Sequence, residues 1–169
     1  MADASLAGKV IVSIVSALVR TSPVAWHLEY EVRNTEQTPI WLVVDESLVL
    51  RRDGQRIELS CARGKMTPGA QPFGYFDPKV VEVPPGGSVR RSVEIAWPAR
   101  LSGLWNAERE VAPPPGEYEV SVRIGHGTTP KPQPPGLGES VEAPVLRWQK
   151  EAVSQPVRLK LPAYKAAPE

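Results

Sequence analysis

The groups in this chain that could carry chemistry are few and far apart. There is a single cysteine, Cys61, and there are two histidines, His27 and His126. Cys61 stands near Arg63 and Lys65, cations of the kind that lower a thiol pKa and turn it into a nucleophile. A thiol nucleophile also needs a base, and no local signature ties Cys61 to either histidine. No CxxC, HExxH or acidic calcium loop occurs, so the spacings that hold zinc or calcium are missing. There is no G-x-S-x-G elbow for a serine nucleophile. Gly125-His126-Gly127 lacks the third glycine and the following helix of a dinucleotide site, and Gly64-Lys65 lacks the earlier spaced glycine of a phosphate loop. Asp45, Glu46, Asp53 and Asp77 read as turn and surface carboxylates. His27 falls on the polar face of a strand, and His126 sits between glycines at a strand end in what reads as a loop. The expectation is a protein that is not an enzyme and uses no cofactor and no metal.

The tryptophans are more informative, five in 169 residues. Trp26, Trp41 and Trp97 lie in or beside segments with strand character and are expected in the core. Trp105 and Trp148 lie in long loops, where each either anchors its loop or joins an exposed aromatic patch. Aromatics and arginine dominate protein–protein hot spots. Leu104, Trp105, Leu146, Arg147 and Trp148 are therefore the candidate protein-interaction residues.

The elements that must position these groups show a period of two. Leu28, Tyr30 and Val32 alternate with His27, Glu29, Glu31 and Arg33. Tyr118, Val120, Val122 and Ile124 alternate with Glu117, Glu119, Ser121 and Arg123. Val153, Val157, Leu159 and Leu161 alternate with Ser154, Pro156, Arg158 and Lys160. Val89, Val93, Ile95 and Trp97 share a face with Arg91, a conflict that a strand end at that point would relieve. Val10 to Val19 is apolar on both faces, as a strand crossing between sheets or covered on both sides would be. Ile40 to Val44 reads as a central strand and Val80 to Val83 as a short one. Leu48 to Arg52 and Gln55 to Leu59 flank Asp53-Gly54, a hairpin loop whose favoured turn takes positive φ at both central positions. One short helix is expected over Ser102 to Val111.

This pattern predicts an all-β chain, an antiparallel β-sandwich of about eight or nine strands with long Pro-rich loops. The 19 prolines and 13 glycines leave little room for long helices. The length fits a single domain, with core strands over about 9–125 and 152–161, a Pro-rich loop insertion over 126–151 and a tail over 162–169. Three long loops stand out: Cys61 to Pro78, Pro98 to Pro115 and His126 to Glu151. The balance of 20 basic and 19 acidic residues, interleaved, argues against a nucleic-acid or anionic-membrane partner. A lone cysteine permits no internal disulfide, and the apolar stretch near the start is too short to span a bilayer. A cytoplasmic protein without a membrane span is the expectation.

The stretch from about Leu28 to Gly125 resembles the BsuPI-like intracellular proteinase inhibitor family. The resemblance is carried by a strand ending in Asn34, Thr38-Pro39-Ile40-Trp41-Leu42, the Asp53-Gly54 hairpin, Pro85-Gly86-Gly87-Ser88, and Pro115-Gly116-Glu117-Tyr118. The last of these looks like the tyrosine-corner arrangement of many sandwich domains. The strand Gln55-Arg56-Ile57-Glu58-Leu59 lacks the tryptophan of that family, and the Cys61–Pro78 and His126–Glu151 loops look like additions. The resemblance implies an immunoglobulin-like sandwich and, as a function, protease inhibition. The broader expectation is a non-catalytic module that presents loop apolar groups or a sheet edge to a protein partner. The alternatives are a structural subunit of a larger assembly and a small-ligand or carbohydrate-binding module.

Overall fold

An alternating segment becomes a strand because pleating sends its apolar half to one side. The computed structural model describes residues 8–21, 24–44, 49–65, 77–96 and 114–163. Among them are ten strands: β1 Val10–Thr21, β2 Val24–Asn34, β3 Ile40–Val43, β4 Val49–Asp53, β5 Arg56–Ser60, β6 Val80–Val83, β7 Ser88–Ala96, β8 Gly116–Gly127, β9 Lys150–Val153 and β10 Val157–Leu161. One short helix, α1, spans Ala143–Trp148. The final alternating run, read from sequence as one strand, is two strands whose registers on Gly116–Gly127 differ by one residue, so Val153 stands exposed and Ser154 is buried. The helix expected over Ser102 to Val111 lies outside the described residues, as do Trp97, Asp45 and Glu46.

The strands form two sheets. The smaller has the order β1-β2-β7 and the larger β4-β5-β8-β3-β6, with β9 and β10 also paired to β8. One hydrophobic core joins them. Trp26, Leu28, Tyr30, Val32 and Ile95 of the smaller sheet pack in one cluster with Ile40, Leu42, Ile57, Leu59, Val120, Val122, Ile124 and Leu159 of the larger. Trp26 takes the expected core place, whereas Trp41 is half-buried on the opposite face of β3 from Ile40 and Leu42.

Three local expectations change. Among the described residues β1 pairs with β2 alone, its register slips between Ile14 and Ser16, and Val15 and Leu18 stand 44% and 60% exposed, so the described residues leave its second face open. Asp53 pairs with Arg56, so the hairpin loop is Gly54-Gln55, with positive φ at Gly54 only. Glycine in the first central position suits a type II′ loop, and a single positive φ suffices. Arg91 is relieved by no strand end, since β7 continues to Ala96. Its cation instead lies beside Tyr30, its partner in register, and keeps its own exposure.

The sheets are tied at one end by Asn34, which is 0% exposed. Its Nδ2 donates to the carbonyls of Thr38 (2.9 Å) and Val83 (3.0 Å), and its Oδ1 accepts from the Glu36 N–H (2.9 Å). Its backbone N–H reaches Gly87 O and its carbonyl accepts from Gly86 N–H, both at 2.9 Å. Gly86 holds φ 73°, which favours glycine there. Asn34 thus joins the end of β2 to β6 through its side-chain amide and to the turn that opens β7 through its backbone. Removing it strands buried polar groups, each costing about 1–3 kcal/mol. Asn34→Ala is expected to lower stability by about 3 kcal/mol in urea titration. A loss below about 1 kcal/mol would contradict this role.

Candidate protein-interaction surface

Beyond Gly127 the chain leaves β8, runs through the prolines, turns through α1 and returns as β9. Sequence reading ended the preceding strand at Gly125; β8 continues two residues further, so Gly125-His126-Gly127 is strand and not loop. Its glycines have a packing reason. A Cβ at Gly127 would collide with the Trp148 ring, and one at Gly125 with the Gln149 side chain. The Trp148 indole N–H donates to Thr129 O (3.0 Å) and Thr129 Oγ1 (2.9 Å). Gln149 Oε1 accepts from the Arg63 N–H and its Nε2 donates to Arg63 O, both at 2.9 Å, in the manner of a strand partner. Val145, Pro132 and Pro144 are buried beneath the segment.

α1 was expected as loop. Pro144 suits its first turn, where no N–H is needed. The Gln149 N–H caps it by donating to Val145 O at 2.9 Å. Glu139 takes the Gly136 N–H at 2.9 Å and pairs with the Arg147 guanidinium. Arg147 holds the Glu139 carboxyl below its ordinary range.

Held in this way, the segment displays apolar groups. Leu137 is fully exposed and Leu146 is 36% exposed. A groove of about 690 Å³ lies between the proline run and α1, lined by Lys131, Pro132, Pro134, Pro144, Arg147 and Trp148. Leu146, Arg147 and Trp148 are therefore together on one helix, while Leu104 and Trp105 lie outside the described residues. Trp148 is half-buried with its N–H satisfied, and so anchors the segment, while Leu146 faces outward. Leu137 was missed from sequence. Its signal was Gly136-Leu137-Gly138, an apolar residue between two glycines that offer no side chain to cover it.

Cys61 is buried and receives the Tyr30 hydroxyl at 3.6 Å. Burial pushes its thiol pKa up, against the Tyr30 hydrogen bond and the Arg91 charge. Burial likewise raises Tyr30. A protonated, buried thiol is a poor nucleophile. Native protein is expected to react with a thiol reagent at least about a hundredfold more slowly than denatured protein; equal rates would show Cys61 to be accessible.

His126 is buried on the core side of β8, and its Nδ1 lacks a hydrogen-bond partner among the described residues. Burial, aided by Lys150 and opposed by Glu36, holds it below the usual imidazole range. The unfolded chain then takes up a proton near pH 6.5 that the folded chain refuses, so stability falls as pH drops below that value, by at most about 1.4 kcal/mol per unit. His126→Gln is expected to flatten the fall in urea midpoint between pH 7.5 and 5.5. An unchanged slope would remove His126 as its source. His27 is half-buried, with Nδ1 4.0 Å from a Glu94 oxygen.

On the outer face of the larger sheet, Arg123 binds Glu58 through two hydrogen bonds (2.7 and 3.0 Å) and Glu151 through one (2.6 Å). Those bonds, the Glu58 pair foremost, raise its pKa and keep it charged. The cluster lies in a shallow groove of about 650 Å³ in which Arg51 and Arg123 pair with Glu58 and Arg56 pairs with Glu119. Among the described residues no three His, Cys, Asp or Glu side chains are placed to hold a metal ion, and no helix is long and apolar enough to cross a membrane. Comparison of the chain with family models, curated proteins and solved structures found no match.

Proposed function

We propose that this chain is an immunoglobulin-like β-sandwich module that binds another protein through the 128–149 segment and performs no chemistry of its own. For the sandwich, the support is the two sheets around one core and the Tyr118 hydroxyl, which donates to Pro114 O at 2.5 Å, four residues upstream. A tyrosine bonded back to its own backbone in this way recurs in such domains. The connections β2 to β3, β6 to β7 and β7 to β8 each pass from one sheet to the other.

For binding, the carrying observation is that the segment is fixed yet displays greasy groups. Trp148 and Gln149 lock its end to β8 and Arg63, while Leu137 and Leu146 face outward. Order established before binding removes an entropic cost of association. Against catalysis stand the covered Cys61, bonded to Tyr30, and an Arg123 taken up by Glu58 and Glu151. Protease inhibition is the form of this reading that the family resemblance implies.

Burying a leucine contributes about 1.5–3 kcal/mol, more than tenfold in affinity. The test is quantitative capture from native lysate with the wild-type chain and with Leu137→Asp plus Leu146→Asp. With its folding checked by its melting temperature, the variant is expected to lose at least about tenfold of the principal captured protein. An unchanged captured set would refute the surface.

A further inference from the structure

Resting on that reading, we infer that the partner's docking element is an extended acidic peptide seated in the groove between the proline run and α1. The groove is lined by the exposed Pro134 and the half-buried Trp148, by the buried Pro132 and Pro144, and by the polar Thr129 and Gln133. Its charged lining residues, Lys131 and Arg147, are both cations. No salt bridge neutralises Lys131 among the described residues. Arg147 is met by Glu139 through one nitrogen, Nη1. A guanidinium has five N–H donors, so the fork can receive a second carboxylate. Glu139 is itself fastened to the Gly136 N–H, so the Arg147 guanidinium is held in place with N–H donors that this pair does not use.

These features select the occupant. An inorganic anion would leave the exposed Pro134 and the open part of the Trp148 ring without an apolar partner. A nucleic acid needs a wider basic surface than two cations on a chain of net charge +1. A peptide carrying carboxylates among apolar residues matches both the apolar lining and the charge, and an extended proline-containing peptide suits a groove with a tryptophan in its lining. Glu139 then competes with the peptide for Arg147, so its removal has the opposite sign to the removal of either cation.

Fluorescence anisotropy with three labelled eight-residue peptides tests this. One combines glutamate with leucine and proline, and the others replace every glutamate by glutamine or by lysine. The glutamate peptide is expected to bind at least about fivefold tighter than the glutamine peptide. Lys131→Gln and Arg147→Gln are each expected to weaken it about three- to tenfold, and Glu139→Gln to tighten it about twofold or more. Equal binding of the glutamate and glutamine peptides, or no effect of Arg147→Gln, would overturn the acidic partner. If Leu146→Asp then weakened both peptides alike, the docking surface would stand without its acidic preference. If no peptide bound at millimolar concentration while capture still depended on Leu137 and Leu146, the groove would be excluded and the apolar surface kept.

Discussion

The hydrogen bonds along both edges of β8 set the rest of the molecule. A buried strand cannot leave its N–H and C=O groups unpaired, and β8 is 12 residues long. No single neighbour reaches that far. Along one edge β5 pairs in parallel with residues 119–123, and β3 takes over at 126–127. Along the other, β10 covers 116–120 and β9 covers 123–126. Between β9 and β10 the ladder is completed by Ser154, whose N–H donates to Val122 O and whose Oγ accepts the Val122 N–H, both at 2.9 Å. The tail of the chain is thereby obliged to return to β8 after the proline run, and the run becomes a displayed loop with both ends fixed.

Two kinds of side chain convert this backbone frame into a rigid support. Asn34 joins the sheets by using both Nδ2 donors and its Oδ1 acceptor inside, which makes its position specific because a buried amide tolerates few alternatives. The glycines at 125 and 127 act by what they lack. They let Gln149 and Trp148 lie directly on the strand, so the segment is anchored by contact and by hydrogen bonds at once. On the outer face, Arg123 with Glu58 and Glu151 stitches β5, β8 and β9 together. These are partly exposed pairs whose worth lies in fixing neighbours more than in raw stability.

The alternation of β2, β8 and β10 was legible because each has one face in the core and one outside, and that is what a period of two records. Pairing was not legible. Nothing in Arg56 to Ser60 announces a parallel neighbour, since register depends on residues far away in sequence. The candidate surface was half legible. Leu146, Arg147 and Trp148 were picked for their types, but the division of labour between anchor and display is set by Gly127 and Thr129, which carry no signal of their own. His126 was placed in a loop because the flanking glycines resemble a turn, whereas they mark close approach of side chains to a strand.

In the structure the 128–149 segment is ordered on β8 with no partner present. Hydrogen exchange of the isolated chain tests it most directly. The amides of Leu146 and Gln149, which donate within α1, and of Arg63, which donates to Gln149, are expected to exchange at least about a hundredfold more slowly than an unstructured peptide. Exchange of these amides at the unstructured rate, while those of β8 stay protected, would contradict it.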